Sequence, residues 1–248
     1  MPSLTVCFDA LGTCFSLDPL VRAVDELLGE RLVAAGQGAR TVVHDWFHSA
    51  QRDYTYLSMS RPPPPPISQV LTLTLPRALT FALTSTQSTS TSLETPLPDL
   101  TPITSKLTEL TAAPGLAECF TTISRSGGKI IIVTNGSKGT TEGYAEKAGV
   151  RSMVHAVVSC DEVGLAKPHR EVYDAALLAC SEADAAGERW FVAAHAWDFQ
   201  NWAGPLRTAP QGTGDRSQLD AYWDMYGGIP DVVGRDLEEV ADGIIKRI

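Results

Sequence analysis

The 248-residue chain is long enough for one sizeable α/β domain and a small accessory one, and its hydrophobic fraction of 44% suits a protein that buries a core without staples. With 20 basic against 29 acidic residues the net charge is −9, which argues against a general nucleic-acid binder and against adhesion to an anionic membrane surface. The 5 cysteines are scattered, odd in number and without a CxxC pair, so a reduced, cytoplasmic setting is expected. No run approaches the ~18 apolar residues of a membrane span, and the N-terminus lacks the basic segment of a leader.

Leu4 to Phe8 is a short apolar run ending at Asp9 and predicts a buried parallel strand. Helical spacing follows over Leu17 to Ala34, and an aromatic-rich helix is predicted over Thr41 to Leu57. Arg61 then precedes five consecutive prolines, Pro62 to Pro66. Gln69 to Leu83 reads as an apolar helix interrupted at Pro76. Thr84 to Thr95 is almost entirely Ser and Thr, too polar to offset its ordering entropy, and a loop is expected there; a phosphorylated regulatory loop is the alternative. From Pro114 the alternation is regular: a helix over Leu116–Ser124, a strand over Lys129–Val133 and a helix over Thr140–Ala148 that stops at Gly149. A strand over Val154–Ser159, a helix over His169–Ala179, a strand over Trp190–Ala194, a short strand at Asp231–Val233 and a helix through Leu237, Val240 and Ile244 complete it. Strands alternating with helices imply a doubly wound parallel α/β sheet.

Ligands bind such sheets at the carboxyl ends of the strands. The residues found there are Asp9-Ala10-Leu11-Gly12-Thr13, Thr134-Asn135-Gly136-Ser137, Ser159-Cys160-Asp161-Glu162 with Lys167-Pro168 beyond it, and His195-Ala196-Trp197-Asp198. Polar groups gathered at one edge of an apolar sheet are unfavourable unless they serve a site.

These four segments, in this order, resemble the motifs of the haloacid dehalogenase superfamily over roughly residues 4–16 and 114–205. The resemblance implies a Rossmann-like core formed by residues 1–15 and 112–248, with a helical cap inserted at 16–111. It implies that Asp9 is a covalent nucleophile, since a carboxylate can split one difficult displacement into two easier ones. Lys167 would keep Asp9 ionised and oriented. Thr13, Thr134 and Asn135 would supply hydrogen bonds to the nucleophile or to a bound anion, and Asp198 would position Lys167 or help activate the hydrolytic water.

Two positions divide the branches of the superfamily. Its phosphatases carry a second Asp two residues after the nucleophile to protonate the leaving alkoxide. Here that position is Leu11, which cannot donate a proton, whereas a halide needs none. Ser159 to Tyr173 and Ala193 to Asp198 are also similar to the type II 2-haloacid dehalogenase branch. Trp46 to Leu57 resembles that branch's cap helix, yet Phe47 stands where an arginine grips the halide and carboxylate, and losing a bidentate clamp is not a neutral change. His48 or Arg52 are the candidate substitutes, although Arg52 lies about 140° round the helix. His195 stands where relatives have Asn, as a water-orienting group, a base, or a histidine bonded to backbone.

The expectation is a metal-independent hydrolase without cofactor, acting on a small molecule. Leu11, Phe47, Tyr173, His195 and Trp197 would face the substrate, with Tyr54 and Tyr56 as further aromatic candidates. A magnesium-dependent phosphomonoesterase and a non-hydrolytic binding protein on the same scaffold are the alternatives. Magnesium prefers several oxygen ligands and often two carboxylates, which here would be Asp9 and Asp198. The resemblance also implies a homodimer formed through the cap. No nucleic-acid or membrane partner is expected.

Overall fold

The computed structural model describes residues 4–84, 96–183, 187–199, 202, 206–210, 223–226 and 228–248. The chain divides into two compact units, one containing the residues up to Ser16 and from Ala112 onward, the other Leu17–Thr111. In chain order the first unit begins with β1 (Leu4–Asp9) and β2 (Phe15–Ser16). The second unit holds α1 (Asp18–Ala34), α2 (Ala39–Ser60), α3 (Ile67–Leu83) and the single turn α4 (Thr101–Thr104). Then come β3 (Thr111–Ala112), α5 (Leu116–Arg125), β4 (Lys129–Thr134), α6 (Lys138–Lys147), β5 (Val154–Ser159), α7 (Cys160–Val163), α8 (Arg170–Ala183), β6 (Glu188–Val192), β7 (Leu206–Pro210), β8 (Val232–Gly234) and α9 (Leu237–Ile245).

The main sheet has the order β5-β4-β1-β6-β7-β8, and every neighbouring pair is parallel. The expected parallel α/β sheet is therefore observed. β1 lies in the interior of the sheet and is buried along its whole length, which is why it reads as a continuous apolar run. Its side chains alternate between faces. Phe8 packs on Phe120 of α5, with ring centroids 4.9 Å apart, and α9 covers α5 on that side. Cys7 points the other way and meets Cys180 of α8 at 3.4 Å. Asp9 shares the Cys7 face and ends the strand. The chain leaves β1, returns to β4 and β5 on one flank, then crosses to β6 on the other. Asp9 thus sits where the direction of winding reverses, the place at which such sheets open a crevice.

The second unit is helical. Leu20, Val24, Leu28 and Leu32 of α1 form a buried stripe, as do Val43, Trp46, Ala50 and Tyr54 of α2. The Trp46 indole donates to Thr74 Oγ1 at 3.1 Å, joining α2 to α3. The interruption expected at Pro76 does not occur: α3 runs unbroken from Ile67 to Leu83. Its buried residues Ile67, Val70, Leu71, Leu75 and Leu79 lie on both sides of the proline, which itself faces outward. Continuous burial of that stripe outweighs the lost backbone donor. Other boundaries shift modestly. The strand expected over Trp190–Ala194 is Glu188–Val192, and β2, β3 and β7 were not anticipated. Most of the Ser/Thr-rich segment falls outside the described residues. Among the described residues no helix is long and apolar enough to cross a membrane.

Since Pro76 removes a hydrogen bond without contributing to the buried stripe, Pro76→Ala should stabilise the helical unit by about 1–3 kcal/mol. Urea unfolding followed by far-UV circular dichroism measures this; an unchanged or lower midpoint would contradict the packing account of α3.

Candidate active site

The turn after β1 delivers the first two groups. Gly12 has φ +84, a left-handed conformation that glycine adopts without strain. Its N–H donates to the Phe15 carbonyl at 2.9 Å, while the Phe15 N–H donates to the Ala10 carbonyl at 2.9 Å. This tight turn brings Thr13 back over the strand end, and its hydroxyl donates to Asp9 Oδ2 at 2.6 Å. The Ala194 N–H in turn donates to Thr13 Oγ1 at 3.0 Å. Because β6 ends at Val192, Ala194 has left the sheet ladder and its backbone donor is available for this purpose.

Lys167 approaches from the segment after β5. Its ammonium lies 2.6 Å from Asp9 Oδ1 and 2.6 Å from Asp198 Oδ2. Asp198 also accepts a short hydrogen bond from the Tyr173 hydroxyl through its other oxygen. Lys167 and Asp198 are fully buried and Asp9 is 4% exposed. Burial alone would lower the Lys167 pKa, but Asp198 and Asp9 together outweigh it and hold the ammonium above its ordinary value. Burial raises the Asp198 carboxyl to about 6; Lys167 pulls it back and the Asp9 charge adds to the rise. Burial, then the Asp198 charge, pushes the Tyr173 hydroxyl well above its usual range, so it remains a donor at neutral pH.

The remaining candidates form the surroundings. Asn135 Oδ1 accepts from the Lys167 backbone N–H at 2.9 Å and from Cys160 Sγ at 3.2 Å. Its carbonyl is thereby committed to protein donors, leaving its NH2 group for a ligand. Thr134 Oγ1 accepts from the Gly136 N–H at 2.9 Å and so serves the turn after β4. The Lys167 ammonium stands 5.7 Å from the Trp197 ring centroid and 5.9 Å from that of Phe191. His195 stacks on Trp197 with centroids 5.9 Å apart at 26° and packs against Gly12, where an added Cβ would lie 3.4 Å from its Cε1. Leu11 is buried. Phe47 is buried in the other unit, whereas Arg52 and Tyr56 are exposed. The first unit therefore brings together Asp9, Thr13, Lys167, Tyr173 and Asp198, with Asn135 tied to the Lys167 backbone. Sequence reasoning missed Cys160 and the Ala194 N–H. A thiol directly after a strand end was the available signal for the former; a backbone donor leaves none.

The haloacid dehalogenase-like hydrolase family model matches residues 4–188. The chain belongs to that family. Among solved structures, the L-2-haloacid dehalogenase of Xanthobacter autotrophicus with chloropropionic acid covalently bound is 19% identical, with a TM-score of 0.72 over 98% of this chain and 99% of that one. The L-2-haloacid dehalogenase RSc1362 is 20% identical, with a TM-score of 0.73 over 99% and 100%. The putative HAD-hydrolase YfnB of Bacillus subtilis, bound to magnesium, is 14% identical, with a TM-score of 0.64 over 100% of both chains. At these identities the likeness is one of fold. No curated protein matches the sequence.

The donor set here does not fit a magnesium centre. Asp198 accepts from Lys167 and Tyr173, Asp9 accepts from Lys167 and Thr13, and Leu11 offers no carboxylate. Among the described residues no group of three or more His, Cys, Asp or Glu side chains converges on a common point.

Removing the ammonium would leave two buried carboxylates facing each other. Lys167→Met should therefore destabilise the protein by about 3–5 kcal/mol at pH 8, with a smaller loss near pH 5 as the Asp198 carboxyl takes up a proton. Urea titrations at the two pH values test this; a loss below ~1 kcal/mol at pH 8 would mean the lysine is not what balances the pair.

Proposed function

We propose that the chain is a metal-independent, dehalogenase-like hydrolase in which Asp9 forms an aspartyl ester with an organic electrophile other than a simple 2-haloacid. The observation that carries this reading is the Asp9–Lys167–Asp198 cluster next to an apolar Leu11. A Lys167 ammonium 2.6 Å from Asp9 pairs with the carboxylate and orients it for nucleophilic attack. Leu11 supplies no proton to a leaving group, which suits one that departs as a stable anion.

In the first step an Asp9 carboxylate oxygen bonds to the electrophilic carbon, and the carbon–halogen bond breaks with its electron pair leaving on the halide. In the second, water attacks the Asp9 carbonyl carbon, the alcohol departs, and the carboxylate is restored. Asp198, whose oxygens keep lone pairs beyond their bonds to Lys167 and Tyr173, would in this reading take up the proton released by that water. Phe47, at the position of the arginine clamp, supports a substrate outside the simple 2-haloacids. We also propose that the helical unit, Leu17–Thr111, serves as the cap domain of this hydrolase.

Halide release from organohalides is the direct test. Asp9→Asn should abolish it, with a fall of at least about a thousandfold. A base must be ionised to work, so the hydrolytic step should slow as pH drops through about 6, following the Asp198 carboxyl, and Asp198→Asn should remove that limb along with most of the activity. Magnesium-dependent phosphomonoester hydrolysis, lost in Asp9→Asn, would instead favour a phosphatase. Neither activity, with tight binding of an apolar ligand, would favour a binding protein.

A further inference from the structure

The buried charges of this protein are unequal in a way that bears on its substrate. Among the described residues, Asp9 and Asp198 are buried acids and Lys167 is the only buried lysine or arginine. Its ammonium is shared evenly, at 2.6 Å from each. The cluster therefore carries a net negative charge while both carboxylates are ionised. Beside it stand the hydroxyls of Thr13 and Tyr173, the amide of Asn135, the side chain of Leu11 and the Trp197 ring, with His195 stacked on that ring.

Among the described residues the helical unit holds no buried lysine or arginine. Arg22, Arg40, Arg52, Arg61 and Arg77 are exposed, and Arg31 is half-buried with its guanidinium donating to the Pro96 carbonyl at 3.2 Å. Lys106 pairs with Glu109 at 2.8 Å. His48, next to Phe47, is held below its ordinary pKa by burial, and so is His44. Neither adds a positive charge at neutral pH.

We propose that the substrate is an uncharged organohalide, with a neutral carbonyl or no acyl group at the position where a 2-haloacid carries its carboxylate. The inference rests on the dehalogenase-type reading and specifies the charge of its substrate. A carboxylate entering beside a net negative, poorly screened cluster is repelled, and no buried lysine or arginine among the described residues other than Lys167 offsets that repulsion. A neutral carbonyl meets no such barrier. The Asn135 NH2, on the amide whose oxygen is already engaged, is a donor for it or for the departing halide. Overall, R–X and water give R–OH, halide and a proton, and no other co-reactant is needed.

The test compares matched pairs that share carbon skeleton and halogen and differ only in charge, such as 2-bromopropionate with 2-bromopropionamide and 2-bromophenylacetate with its amide. Halide release is measured with the full chain at pH 8, with Asp9→Asn as the background. The expected result is Asp9-dependent release from the amides with kcat/KM at least about tenfold above the acids. Equal rates, or preference for the acids, with release still dependent on Asp9, would overturn the inference and leave the nucleophile standing. No Asp9-dependent release from any member would overturn the dehalogenase reading itself, and this inference with it.

Discussion

One buried lysine holds the site together. Lys167 joins the end of β1 to the segment after β6 through two contacts of 2.6 Å, across 158 and 31 residues of chain respectively. Two buried carboxylates without a cation between them would be strongly destabilising, and a buried ammonium without partners equally so. Each charge is therefore tolerable only because the other two are present. Tyr173 reinforces the arrangement from α8 by donating to the remaining Asp198 oxygen, and Thr13 does the same for Asp9. Both oxygens of each carboxylate are hydrogen-bonded, which fixes the orientation of the cluster.

The parallel sheet explains why these residues can meet at all. β1, β4, β5 and β6 run in the same direction, so the segments leaving them emerge at one edge. Alternation along β1 puts Asp9 on the same face as Cys7, the face covered by α8, and α8 carries Tyr173. The apolar core beneath fixes strand register, and register fixes which polar side chains share the edge. Stability and chemistry thus depend on the same packing: a slip of one residue in β1 would send Asp9 to the opposite face.

Much of this was legible in the sequence, because buried parallel strands are written as short apolar runs and the chemistry follows directly after them. Asp9, Thr13, Lys167 and Asp198 lie in segments that follow strand ends, and the family resemblance singles them out there. What was not legible had no side-chain signature or contradicted a local rule. The Ala194 N–H is a backbone group, and only the end of β6 at Val192 frees it for Thr13. Cys160 looks like an ordinary buried thiol until its contact with Asn135 is seen; burial raises its pKa to about 12. Pro76 reads as a helix breaker, but tertiary packing of α3 overrides that preference. Thr134 matched the motif, yet its hydroxyl serves the local turn.

Leu11 sets this chain apart from the phosphatases of the family and Phe47 from its 2-haloacid dehalogenases, while the proposed nucleophile at Asp9 keeps covalent hydrolysis within reach. The claim that everything else depends on is that Asp9 itself becomes esterified. A single turnover in oxygen-18 water, followed by peptide mass spectrometry, addresses it most directly. Hydrolysis at the Asp9 carbonyl predicts one heavy oxygen in the peptide that carries Asp9 and none in the alcohol product. Label in the alcohol, with Asp9 unlabelled in an active enzyme, would contradict the account.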